Sequence, residues 1–341
     1  MATVNSPETF EAGFERVTGA PAPPIDNPQL QHYWNLPVSD LCTVAVPPAD
    51  QSGAWPMWQE RHRLYMYLLM GIGWFYWCGN KDGRFGTYPY NDPATPQDPP
   101  WLSGDYRGHN ILAVAVDGRG QVVDFDFNHN NLFSSSAEHA EARLVRRLYA
   151  LANVGGAWAP TDPDSSDGTS LQGFTVYTSL ESCSQCSGIM ALAGVENVVF
   201  MQQDPGEYLI GRILHNLTPP SFQAPLPISG HDILLEEFDE LGNAYADYLS
   251  EIATGKPFFT PSDGSSPDPG KSITSFLCTG AARGIYAGGR AKMNGTLLYP
   301  TFTPSIPGES DVCSNQQVQE ACLTFLNYAV KLPNRGTPHR D

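Results

Sequence analysis

Two short motifs constrain this chain more than anything else in it: His139-Ala140-Glu141 and Cys183-Ser184-Gln185-Cys186. Each falls at the start of a predicted helix, and the second follows directly on a predicted strand. Taken singly, each is weak. The chain has eight histidines, so one His-x-Glu by chance is unremarkable, and a lone Cys-x-x-Cys fits half a structural zinc site or a redox pair equally well. Together they are strong. Zinc takes borderline-soft ligands in a tetrahedron, and its catalytic sites offer three protein ligands and one open position. His139, Cys183 and Cys186 supply three, and no fourth ligand with suitable spacing is obvious. That pattern points to a catalytic rather than a closed structural centre. A helix N-terminus also favours a thiolate, because the dipole stabilises negative charge there.

The stretch around these motifs reads as alternating strands and helices. Ile111–Val116 and Val122–Phe127 are strand candidates joined by the turn Asp117-Gly118-Arg119-Gly120, a hairpin signature. Ser134–Ser136 are candidate caps for a helix over Glu138–Leu151. A strand at Phe174–Thr178, a short helix at Ser184–Leu192, a strand at Val198–Met201 and helices at Tyr208–His215 and Leu234–Ile252 follow. The order ββαβαβα predicts an α/β sandwich with at least one parallel pair. The polar loop from 153 to 172 is long for a compact domain and so is functional or mobile.

Three segments are expected: a Pro- and aromatic-rich N-terminal extension (1–105), a central domain (106–255) and a C-terminal extension (256–341) that follows a Ser/Pro/Gly linker and ends in an apolar helix near Gln317–Val330. The apolar run Leu64–Cys78 is too short to span a bilayer, which takes ~20 residues, and reads as a buried segment. The first fifteen residues have neither a basic region nor an apolar core, so no secretory signal is expected. Seven cysteines, an odd number, fit a reduced cytoplasmic protein better than a disulfide framework. Cys42, Cys78, Cys278, Cys313 and Cys322 have no metal-like context. Acidic residues outnumber basic ones 36 to 19, for a formal charge of −17. That balance disfavours tight binding to a phosphate backbone.

His-x-Glu followed by a strand and Cys-x-x-Cys resembles the signature of the zinc deaminases. Thr178-Ser179-Leu180-Glu181-Ser182-Cys183-Ser184-Gln185-Cys186, with Met190 beyond it, is similar to the T-L-E-P-C-x-x-C-x-x-x-M pattern of the tRNA adenosine deaminase and guanine deaminase branch of the cytidine-deaminase-like superfamily. Val198-Val199-Phe200 continues the match, and the likeness covers about 110–255. It implies a three-layer α/β/α sandwich with N- and C-terminal extensions, a Zn2+ cofactor on His139, Cys183 and Cys186, and Glu141 as the residue that moves protons. Asn128 matches the branch's base-binding asparagine. Phe127 and Ala140 are candidate substrate contacts, although a strand-end phenylalanine is more often core. Glu181 is a candidate orienter of the cysteine loop, and His129 sits beside Asn128. Arg143, Arg146 and Arg147 read as a solvated face or ion pairs rather than a phosphate site. The run Trp74–Trp77 reads as core rather than a base-stacking platform. One departure is visible: Ser182 stands where the pattern has proline, and serine there is expected to cap the helix.

The resemblance implies hydrolysis of a ring amine to a carbonyl with release of ammonia, on a base, nucleoside or nucleotide. Two alternatives stand beside it. One is an editing deaminase of tRNA or single-stranded DNA; one such group, the Bd-type bacterial deaminases, carries an N-terminal extension. The other is a silent zinc scaffold that supports an active partner, a role usually taken after loss of the glutamate. A nucleobase-containing substrate is the expected partner, with no membrane and a possible homodimer.

Overall fold

The computed structural model describes residues 12, 15–16, 18–19, 21, 37–46, 53–77, 109–130, 133, 135–155, 170–207, 209–219, 222–253 and 272–332. Cys78, Ser134, the centre of the 153–172 loop and the 264–270 linker lie outside them. The described elements are α1 (Val38–Leu41), α2 (Trp55–Phe75), β1 (Leu112–Val116), β2 (Val122–Phe127), α3 (Ala140–Gly155), β3 (Thr175–Thr178), α4 (Ser184–Leu192), β4 (Asn197–Phe200), α5 (Ile210–Leu217), β5 (Leu226–Ser229), α6 (Glu236–Ala253), α7 (Ile273–Phe276), α8 (Gly280–Lys292) and α9 (Asn315–Ala329).

The strands form one sheet in the order β2-β1-β3-β4-β5. β1 runs antiparallel to β2 and β3, while β3, β4 and β5 are parallel. In the turn between β1 and β2, Asp117 and Gln121 pair through Asp117 N–H and Gln121 C=O at 3.0 Å, and Gly120 takes φ +89°, which favours glycine. The fifth strand carries Pro227 and escaped the sequence reading. Proline cannot donate to a ladder, so it is confined largely to edges, and β5 is an edge here.

Alternation along the strands sets the layers. Successive strand residues point to opposite faces. Tyr177 faces α2, where its ring lies 4.8 Å from that of Tyr65. Its neighbour Thr178 faces α3 and hydrogen-bonds Glu141. β2 divides likewise. Asp124 and Asp126 reach the arginines of α3, while Phe125 packs edge-on to Phe325 of α9. Helices therefore cover both faces, giving the α/β/α arrangement expected from the sequence.

The apolar run that starts at Leu64 belongs to one helix, α2, begun by Pro56 in its first turn and buried along Leu64–Gly73 except for Tyr67. Gly73 permits its close approach to the sheet: a Cβ there would stand 3.0 Å from both Leu112 and Tyr286 side-chain atoms. α8 and α9 pack onto α2 from the outside. Residues before 105, such as Leu68, and after 256, such as Phe276 and Val318, join Val114 and Val176 in one core. Glu60, buried in α2, accepts from Tyr299 N–H (2.9 Å) and Asn315 Nδ2 (3.1 Å), tying the two flanking segments together. The described cysteines are free thiols, and among the described residues no helix is long and apolar enough to cross a membrane.

Candidate metal centre and its surroundings

Both motifs arrive at the carboxyl end of the parallel strands. β3 ends at Thr178, and a short loop delivers Cys183 as the N-cap of α4. His139 precedes α3, which lies on the same face. His139 Nδ1 is 3.3 Å from Cys183 Sγ and 3.6 Å from Cys186 Sγ, and the three donor atoms lie within 4.8 Å of one another. Zinc bonds of ~2.3 Å to sulfur and ~2.05 Å to nitrogen in a tetrahedron place S and N about 3.6 Å apart. The donor set and its spacing therefore fit a zinc ion.

Charge supports the fit. The Cys183 thiol is brought down to about 4, first by the Cys186 thiol donating to it and then by His139. Cys186 is pushed up by the neighbouring Cys183 sulfur and by burial. The Cys183 sulfur in turn raises the His139 imidazole. Two bare thiolates so close repel, and a divalent cation between them removes that repulsion.

Glu141, on the first turn of α3, is buried. Burial raises its carboxyl above the usual range, and Ser182 partly offsets that. Its Oε1 accepts from Ser182 Oγ (3.0 Å) and Thr178 Oγ1 (3.1 Å). The Thr178 proton has a second acceptor in Leu180 C=O, also at 3.1 Å, whereas among the described residues Ser182 Oγ donates to Glu141 alone. The helix-capping role expected of Ser182 is thus corrected. The N-cap is Cys183, without a side-chain cap bond, and Ser182 instead holds the carboxylate. Neither hydroxyl role was legible from the motif, because partners across the sheet leave no mark in local spacing.

The start of α3 is closed from a distance. Asn128 Oδ1, at the end of β2, accepts from Ala140 N–H at 2.7 Å, while Ser135 Oγ accepts from Ala137 N–H just before the helix at 3.2 Å. The first bond fixes the Asn128 amide and occupies the Ala140 N–H. Phe127 packs its ring against Tyr76 (5.4 Å) and Phe125 (5.8 Å) and so reads as core. Trp77 likewise packs edge-on to Tyr286, and Trp74 lies beneath the Arg290 guanidinium at 4.3 Å. His129 is buried, its Nδ1 2.9 Å from Phe127 C=O.

The arginines of α3 meet carboxylates of this chain. Arg143, 1% exposed, bonds Asp126 (3.2 Å) and Glu138 (2.6 Å). Arg146 bonds Glu138 at 2.9 Å, and Arg147 bonds Asp124 at 2.7 Å. Burial pushes the Glu138 carboxyl up, but Arg146 and Arg143 together hold it below its usual range. Asp126 and Glu138 flank the loop that carries Asn128 and leads into His139, so Arg143 holds both ends of that loop.

Glu181 is buried rather than exposed. Its N–H donates to Gln202 C=O (2.7 Å), and its Oε2 accepts from Asp204 N–H (3.3 Å). It joins the cysteine loop to the loop after β4, and burial raises its carboxyl to about 7. Ser184 N–H, at the N-terminus of α4, donates to Glu207 Oε2 at 3.3 Å.

No protein-family model and no curated protein matches the chain. Solved structures with partial similarity include a tRNA A34 deaminase (24% identity, 36% of this chain and 82% of that one, TM-score 0.27) and the guanine deaminase of Nitrosomonas europaea (18% identity, 37% and 70%, TM-score 0.25). A third is a diaminohydroxyphosphoribosylaminopyrimidine deaminase/5-amino-6-(5-phosphoribosylamino)uracil reductase of Thermotoga maritima (19% identity, 42% of this chain and 35% of that one, TM-score 0.28).

Proposed function

We propose that this chain is a zinc-dependent hydrolytic deaminase that converts a ring amine of a nucleobase or nucleoside to a carbonyl, releasing ammonia. The observation that carries the reading is the convergence of His139, Cys183 and Cys186 beside the buried Glu141 carboxylate. Zinc held by those three residues lowers the pKa of a bound water to about 7 and so supplies a nucleophile at neutral pH.

The rest is done by the chain. Ser182 and Thr178 hold Oε1 of Glu141, leaving Oε2 to exchange protons. Glu141 accepts the proton of the attacking water, passes one to the ring nitrogen, and then serves the departing amine. Its raised pKa suits both directions of transfer. Asn128 Nδ2, set by the bond to Ala140, orients the ring.

The surroundings favour a substrate without phosphates. An anion seeking the N-terminus of α4 finds Ser184 N–H already bound by Glu207. Asp204 lies on the same side, joined to Glu181 through its N–H. These carboxylates repel a polyanion, and the arginines of α3 are engaged with carboxylates of this chain.

The test is incubation of zinc-loaded protein, and of Glu141→Ala, with free bases, nucleosides, nucleotides, single-stranded DNA and structured RNA, followed by mass spectrometry. Conversion of a base or nucleoside by wild type alone supports the proposal. Conversion of oligonucleotides alone, or of nothing while one zinc is bound per chain, overturns it.

A further inference from the structure

At the other end of the sheet from His139 lies a cavity of about 110 Å³. Thr175, Asn197 and Leu226 line it, and they are the first residues of the three parallel strands. The cysteine motif follows the last residue of β3, so the two places sit at opposite strand ends. At roughly 30 Å³ per water in the liquid, the space holds about four waters, the scale of one six-membered ring.

One wall is aromatic and comes from the first turns of α2. Trp58 stacks on His62 with centroids 5.7 Å apart and planes inclined 26°. Trp55 stands 6.0 Å from the same imidazole. His62 Nδ1 is fixed by Tyr177 Oη at 2.8 Å, and burial, with Arg61 and Arg63 nearby, brings the imidazole down to about 3. The imidazole is therefore neutral at pH 7, and this wall is an uncharged aromatic surface in which Trp55 is tilted 54° to the His62 plane.

The charge in the cavity is Arg61. It is 3% exposed, and among the described residues no carboxylate lies within salt-bridge distance of it. Nη1 donates to Cys313 C=O (2.8 Å) and Asn315 Oδ1 (3.4 Å). No partner is found for Nε or Nη2 among the described residues. Nη2 lies against Gly120, where any Cβ would strike it. A buried cation met only by neutral oxygens and an indole face is costly unless an anion joins it. The two carboxylates at the cavity do not serve. Asp117 is taken by Arg119, which it meets at 3.2 Å, and by the N–H groups of Arg119 and Gln121. Glu196 is exposed at the rim.

We propose that this cavity is a second ligand site, separate from the metal centre, which takes a small planar aromatic molecule carrying one anionic group. The ring lies on the wall of Trp58, His62 and Trp55, and the anion meets the open side of the Arg61 guanidinium. That fork suits a carboxylate or a phosphate oxygen pair.

The test uses the zinc-loaded full chain, with benzoate and its neutral isostere benzamide as probes, in titration calorimetry and thermal melts. A charge-assisted bond is about twice as strong as a neutral one, so benzoate is expected to bind about tenfold tighter than benzamide. Ile306→Trp fills the cavity from a half-buried loop; it is expected to abolish benzoate binding and leave turnover unchanged. Arg61→Met, where it folds, is expected to erase the preference for benzoate. Equal binding of the two probes, no binding of either up to about 10 mM, a decade weaker than a millimolar Kd, or benzoate binding that survives Ile306→Trp overturns the proposal.

Discussion

Replacing Ser182 by proline restores the residue of the deaminase pattern and removes one donor to Glu141. The substitution isolates that donor well. Ser182 N–H takes part in no hydrogen bond among the described residues, so proline forfeits nothing on the backbone. Its Oγ, by contrast, gives its proton to Glu141 Oε1 at 3.0 Å in a buried setting. A bond to a charged group contributes about 1.5–3 kcal/mol, which is roughly 10- to 100-fold in rate at 1.4 kcal/mol per decade. Thr178 retains a bond to the same oxygen but shares its proton with Leu180 C=O. Ser182→Pro and Ser182→Ala are therefore expected near the lower end, about tenfold down in kcat with KM little changed. Thr178→Val with Ser182→Ala is expected near 100-fold. The assay is steady-state ammonia release on the substrate that the mass-spectrometric panel identifies, with zinc content and melting temperature measured in parallel. An unchanged kcat in the double variant, with zinc still bound, refutes the reasoning that these hydroxyls position the proton carrier.

Cys183→Ser and Cys186→Ser are each expected to release zinc, from one per chain to near none by atomic emission, and to lower kcat by more than ~1000-fold, since the nucleophile depends on the metal. Arg143→Met leaves Asp126 and Glu138 without their shared cation; breaking such a buried pair costs about 3–5 kcal/mol, visible as a lower urea midpoint, while Arg146→Met at the surface is expected to cost under ~1 kcal/mol. His62 supplies a pH dependence. Its folded pKa of about 3 lies below the ordinary imidazole value of 6.5, so the unfolded chain takes up the proton first. Its contribution is complete above pH 6.5 and is lost as pH falls toward 3. At pH 5 the loss is about 2 kcal/mol at 1.36 kcal/mol per unit. Urea midpoints of metal-free protein at pH 7.5 and 5, with His62→Gln as reference, check it: wild type is expected to lose more than the variant, and equal losses refute the assignment.

Much of the fold was readable because hydrophobic periodicity and turn chemistry act locally. β2 reads Val-Val-Asp-Phe-Asp-Phe, and its alternation is that of a strand with an ionic face toward α3 and an aromatic face toward α9. The turn at 117–120 announces itself by glycine and aspartate. β5 did not, because Pro227 is a strand breaker except where an edge leaves its missing N–H without consequence. α2 was harder for another reason. It is covered by the sheet on one side and by α8 and α9 on the other, so its apolar residues run nearly all round it and erase the stripe that marks an amphipathic helix. Its contribution to the core of residues 106–255 is a tertiary fact, invisible in a segment that looked like an extension.

The site divides along the same line. Donor type and spacing can be read locally in the sequence, and in the fold His139, Cys183 and Cys186 meet within 4.8 Å, an arrangement that fits a zinc ion. What surrounds them is fixed by pairs far apart in the chain: Ala140 with Asn128, Arg143 with Asp126, Glu141 with Ser182. Each such pair answers a buried polar group that must find a partner. The sequence shows only one half of each at a time. Ser182 makes the point sharply. At the level of the motif it is a lost proline with a substitute capping role. In the fold, α4 is started without it, and its hydroxyl points across the site to the one carboxylate that has to be held. The departure from the pattern is therefore a relocation of function from backbone to side chain, and the reason Ser182 rather than Cys183 or Glu181 is the informative position to change first.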